Sequence, residues 1–131
     1  MQSRSLTIVT QSFVMLGMRA ETLKGHLDLL LLAVVEDGPR HGYAVIEELK
    51  RRTGDALDLP EGTIYPALHR LQRAGLLAST WDDSTGRRRR VYSLTGGGRR
   101  AVREKRLEWQ AFASSVQGVL GGRNVAWPNP A

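Results

Sequence analysis

The sequence predicts a mainly α domain carrying one small β-hairpin, and three observations predict it. Three segments with helical apolar spacing precede two strand-like segments joined by turn residues. A longer helical segment follows them. Four consecutive arginines, Arg87 to Arg90, sit on the shoulder of the hairpin. Helix, helix, helix, hairpin, long helix is the order of a winged helix-turn-helix with an appended C-terminal dimerisation helix. The expected organisation is an N-terminal extension over 1–20, a winged helix domain over 21–95, a dimerisation helix over 96–121 and a disordered tail over 122–131.

Composition narrows the partner. The 131 residues give room for one domain with a modest core. A net charge of +6 and a pI near 10.5 favour a polyanion. From Arg87 to Arg106 there are nine basic residues and one acid, Glu104, a net of +8 that exceeds the whole-chain value. The remainder is therefore slightly acidic, and the basic charge is concentrated at the hairpin and beyond. No cysteine is present, which excludes disulfides, thiolate metal sites and cysteine nucleophiles and fits a reducing cytoplasm. The longest apolar run, Leu29 to Val35, is far short of a membrane span. Residues 1–17 hold one basic residue, Arg4, and no secretory pattern. They read as a flexible arm or as sequence upstream of the true start, since Met15 and Met18 both precede the first convincing helix.

That helix is expected from Glu21 to Asp37, closed by Gly38-Pro39. Leu23, Leu27, Leu30, Leu31 and Val34 make one apolar face, and Leu29, Leu32 and Val35 make the other side apolar as well. A helix apolar nearly all round must be covered nearly all round, and a partner subunit is the economical cover. The second helix is expected from His41 to Arg52, with Tyr43, Ile46 and Leu49 facing the core.

The third helix carries Ile64, Leu68 and Leu71 at i, i+4 and i+7, with Ala67 beside them, as its buried stripe. Thr63, Tyr65, Pro66, His69, Arg70 and Arg73 fall largely off that stripe. Pro66 places the regular start near Glu61 to Thr63, because a proline belongs close to the first turn. Leu76 to Trp81 reads as a strand, Asp82-Asp83-Ser84-Thr85-Gly86 as a turn, and Arg88 to Thr95 as the return strand. The last helix follows Gly96-Gly97-Gly98, a weak start expected to fray, and ends before Gly121. Val102, Trp109, Phe112, Val116 and Val119 form an a/d seam along it.

Several strings resemble the PadR family of bacterial transcriptional regulators. They are Leu27 to Leu32, Asp37-Gly38-Pro39, His41-Gly42-Tyr43, Glu61-Gly62-Thr63-Ile64-Tyr65-Pro66-Ala67-Leu68, Gly75-Leu76-Leu77, Gly86 with the arginine run, and Tyr92-Ser93-Leu94-Thr95. The resemblance covers roughly Leu23 to Trp109, and its most specific part is Gly62 to Leu68. The short C-terminal helix is similar to that of the compact members, and the first seventeen residues have no counterpart. The resemblance implies a homodimer on an inverted-repeat operator, usually as a repressor, and in several members a small aromatic effector that weakens DNA binding.

The third helix is the expected recognition helix, with Thr63, Tyr65, His69 and Arg70 as the groups that reach bases or phosphates. Tyr65 has a second reading, half-buried packing on the second helix. Pro66 either touches a sugar or only shapes the first turn, and Arg73 reads as solvated charge. Alternation along a strand sends about half of Arg87, Arg88, Arg89 and Arg90 to each face. Two are expected at phosphates or the minor groove, and the others on the outer face or paired with Asp82 and Asp83. Trp109 and Phe112 first read as packing between subunits, and alternatively as the lining of a cleft for a flat aromatic effector.

His26, His41 and His69 lack ligand spacing, so no metal or other cofactor is expected. Gly96-Gly97-Gly98 lacks the lysine and spacing of a phosphate loop, and nothing supports catalysis. The competing class is a winged-helix architectural or protein-interaction module without operator specificity. The base-reading groups of the third helix favour the regulator, because an architectural binder needs only phosphate contacts.

Overall fold

The computed structural model describes residues 20–121; the expectations for the N-terminal extension and for the tail beyond Gly121 fall outside them. The elements are α1 (Ala20–Val35), β1 (Arg40–His41), α2 (Gly42–Arg52), α3 (Glu61–Arg73), β2 (Leu77–Asp82), β3 (Arg89–Leu94) and α4 (Gly96–Leu120). Among the described residues, four helices and a three-stranded antiparallel sheet in the order β1-β3-β2 make a winged helix-turn-helix with a C-terminal helix. No described helix is long and apolar enough to cross a membrane.

α1 is the centre of the core and touches α2, α3, α4 and β3. Leu31 and Leu32 are fully buried, and Val34 and Val35 nearly so. This corrects one expectation. Leu32 and Val35, on the side assigned to a partner subunit, are covered within the protomer. The helix also stops at Val35, two residues early, and Gly38 turns the chain at φ 152°, which a residue with a Cβ rarely adopts. Around this turn Arg40 donates to the Val34 carbonyl at 2.8 Å and pairs with Asp37, while Arg52 reaches both Asp37 and Glu48.

Residues Arg40 and His41 form a strand rather than a helix start. They pair with Tyr92 and Val91 on β3, so the hairpin gains a third strand. Two residues are too short to show a period of two in sequence. α2 consequently starts at Gly42, and Val45, Ile46 and Leu49 face the core. Tyr43, expected inside, is 57% exposed on the first turn.

α3 buries Ile64, Ala67, Leu68 and Leu71 as expected. Pro60 precedes it, and its carbonyl accepts the Thr63 and Ile64 amides at 2.9 and 3.1 Å. Pro66 lies a full turn inside, where its missing N–H gives no bond to the Gly62 carbonyl. In the sheet, β2 and β3 pair from Leu77↔Leu94 to Asp82↔Arg89. Asp82, expected in the turn, is the last residue of β2.

α4 does not have an open first turn. The Thr95 hydroxyl accepts from the Gly98 amide at 2.9 Å and donates to the Gly75 carbonyl at 2.7 Å. This cap was overlooked in sequence because three glycines follow it. Val102 is 1% exposed and belongs to the protomer core, not to an intersubunit seam. Farther along, Leu107, Trp109, Phe112, Val119 and Leu120 are exposed, and Gly121 closes the helix in the left-handed conformation.

The glycines at the start of α4 are not equivalent. A Cβ on Gly98 would collide with the Leu76 backbone carbonyl, whereas one on Gly97 would meet its nearest atom at 3.5 Å. Gly98→Ala should therefore destabilise the fold by about 1–3 kcal/mol. Gly97→Ala should be neutral or stabilising by up to about 1 kcal/mol, since alanine is the better helix former. Urea unfolding of the two variants checks the contrast, and equal midpoints would contradict it.

Candidate nucleic-acid interface

Burial of one stripe of α3 dictates what the opposite stripe offers. Gly62, Pro66, His69 and Arg73 recur at i, i+4, i+7 and i+11, and all are exposed. Arg73, read from sequence as solvated charge, thus lies on the same outward line as His69 and Pro66. Thr63 and Tyr65 flank this line and are partly buried. The Tyr65 ring occupies the space a Cβ on Gly42 would need, so Tyr65 packs on the first turn of α2. Its second reading therefore holds, and burial pushes its phenol pKa up. A side chain at position 42 would therefore force this ring to shift.

The wing forms the other wall. Trp81 and Arg90 are directly paired across the strands and share a face. The Arg90 guanidinium lies 4.5 Å and that of Arg88 4.4 Å from the centre of the Trp81 ring. Arg90 also donates to the Ser79 hydroxyl at 2.6 Å. Two cations are thus held side by side on one indole, each gaining about 0.5–1 kcal/mol at an exposed site. The sequence places Trp81 at the end of a strand; its opposition to Arg90 depends on register, which the sequence does not state. Between the wing and α3 opens a groove of about 310 Å³ lined by Tyr65, His69, Trp81, Arg88, Arg89 and Arg90 among others.

Arg88 and Arg90 sit together on Trp81, but Arg89 lines the same groove, so the expected split of the arginines between two faces is not clean. The expected pairing with carboxylates is half right. Arg88 lies 3.7 Å from Asp83, both highly exposed. Asp82 instead meets His41 Nε2 at 2.9 Å and accepts the Ser84 amide at 3.0 Å. The bonds from Ser84, then that from His41, hold its carboxyl at about 2. Arg89, the cross-strand neighbour of Asp82, makes no ion pair with it. Neither Arg87 nor Arg89 has a carboxylate partner among the described residues.

Arg70 occupies the other flank of α3, where its Nη2 reaches Asp28 Oδ1 of α1 at 2.5 Å. Trp109 and Phe112 lie apart from the groove. The His26 ring meets Trp109 edge-on at 5.3 Å, and Phe112 stands 6.2 Å from it. With Gly25, Leu29, Lys105 and Glu108 they line a cleft of about 180 Å³ between α1 and α4. The sequence had paired Trp109 with Phe112 but had given α1 and His26 no part in that cleft.

The Asp82 contacts carry a pH prediction. Its folded value of about 2 lies below the ordinary 3.8, so the contacts contribute stability above pH about 4. That contribution is lost as pH falls through 2. Near-ultraviolet circular dichroism of the neighbouring Trp81 should change across this window. In Asp82→Asn the change should disappear, and an identical titration in that variant would refute the assignment.

Comparison with known proteins bears on family and fold. The model of the transcriptional regulator PadR-like family matches residues 31–104. A transcriptional regulator of Mycobacterium tuberculosis is 38% identical over 96 residues, which cover 73% of this chain and 84% of that protein. The crystal structure of a PadR family transcriptional regulator from Eggerthella lenta superposes with a TM-score of 0.70 at 29% identity, over 90% of this chain and 97% of that one. A PadR family regulator from Clostridium difficile gives 0.66 at 30% identity, over 73% and 99%. The chain belongs to the PadR-like family and is a DNA-binding transcriptional regulator.

Proposed function

We propose that the protein is a homodimeric repressor of an inverted-repeat operator, with 21–95 as the DNA-binding unit and 96–121 as the dimerisation helix. The observation that carries this reading is the groove in which α3 and the Trp81-stacked arginines face each other. α3 enters the major groove through Thr63, Pro66, His69 and Arg70, with Tyr65 packed against the first turn of α2 and lining the groove. Arg87, Arg88, Arg89 and Arg90 take the phosphates beside it. Phe112, Val119 and Leu120, exposed toward one side of α4, supply an apolar surface for a second copy.

Two recognition helices related by a two-fold axis should protect half-sites about one helical turn, roughly 34 Å, apart. Footprinting against competitor DNA at fixed salt checks this; protection without sequence preference would favour an architectural module. If about six phosphates are neutralised per dimer, log K should fall with log salt at a slope of about −5. Arg88→Ala with Arg90→Ala should flatten that slope. An unchanged slope would remove the wing from the interface.

The cleft at Trp109 supports a second element, release of the repressor by a planar aromatic or apolar effector. His26, Trp109 and Phe112 give such a ligand ring edges and faces to pack on. The effector must favour a state in which the helices no longer match the half-sites, and operator must weaken it in return. Tryptophan fluorescence of the protein with Trp81 left in place should show quenching by aromatic compounds that operator DNA opposes and that Trp109→Phe removes. Quenching that survives Trp109→Phe in the full protein would place the ligand elsewhere.

A further inference from the structure

The contact between Arg70 and Asp28 joins two elements 42 residues apart in sequence, and its geometry is one-sided. Asp28 touches Nη2 alone, through Oδ1 alone. A guanidinium carries five N–H donors in a planar fork. One contact at Nη2 leaves a complete two-donor edge open, and the Arg70 side chain is 49% exposed. Asp28 is itself partly exposed, at 30%, so the pair is screened and contributes little to stability. Its consequence is conformational. A long side chain that would lose its rotamer freedom on binding is already ordered.

We propose that Asp28 is a positioning residue for base reading: it fixes the Arg70 guanidinium so that the open edge is presented to a guanine in the major groove. The inference rests on α3 being the helix that enters that groove. A guanine offers two acceptors, O6 and N7, spaced for such an edge. α1 is rigid at this point because Leu27 and Leu31, on either side of Asp28, are buried in the core. The support therefore comes from a helix anchored in the core.

Two effects of removing Asp28 have opposite signs, and this makes the idea testable. Loss of a negative charge near a polyanion should strengthen binding to any DNA. Loss of the support should weaken reading of the correct base. The probe is a duplex selected by the intact protein from a randomised pool, compared with random duplex of the same length. Asp28→Ala should lower the ratio of selected to random affinity roughly tenfold while random affinity rises or holds. Arg70→Ala should lower the ratio at least as far, and the double variant no further, because the two residues act as one unit. Replacing the guanine by 7-deazaguanine should remove the effect of Asp28→Ala. Thermal melting of each variant separates these outcomes from loss of fold. Equal strengthening of both duplexes would make Asp28 a mere counter-charge and overturn the inference while leaving operator binding intact. A pool with no enriched sequence would overturn operator reading itself, and the inference with it.

Discussion

The constraint on which the rest depends is the burial of α1. Most of the apolar surface of α1 is covered by α2, α3, α4 and β3, with Leu31, Leu32, Val34 and Val35 buried and Leu29 and Leu30 partly so. Each fully buried leucine or valine contributes about 1.5–3 kcal/mol relative to exposure. With the middle and C-terminal part of α1 enclosed, the placement of the other elements is largely decided. Ile64, Leu68 and Leu71 must point inward, so Gly62, Pro66, His69 and Arg73 must point out. Tyr92 and Leu94 anchor β3 to the same core, and the unburied end of the hairpin projects beside α3.

Charge in the wing is managed by the same geometry. Four adjacent arginines repel one another, and a nearby carboxylate would relieve that at the expense of their attraction for phosphate. Asp82 is the carboxylate opposite them in register, but His41 and the Ser84 amide hold it. The Trp81 ring takes up Arg88 and Arg90 without neutralising them. The Arg88–Asp83 contact is exposed at both ends and is easily exchanged for a phosphate. The wing is thus ordered and still cationic.

α1 also touches both proposed sites. Gly25, His26 and Leu29 form one wall of the cleft at Trp109, and Asp28 grips Arg70 on the recognition helix. A ligand wedged between α1 and α4 would act on the element that supports α3.

The order of elements, the inward stripe of α3 and the arginine-rich hairpin were determined by the sequence itself, because helical spacing, turn residues and charge runs are local signals. The family followed from the string Gly62 to Leu68 and its companions for the same reason. Tertiary structure alone decided the rest. β1 is too short to have a period, the cap at Thr95 was hidden by the glycines after it, and the placement of Tyr43 depends on where α2 begins. Tyr65 against Gly42, Trp81 beneath two arginines, His41 on Asp82 and Arg70 on Asp28 are all contacts between separate elements. Composition and spacing state which groups are present on an element, but only packing brings one element's groups against another's.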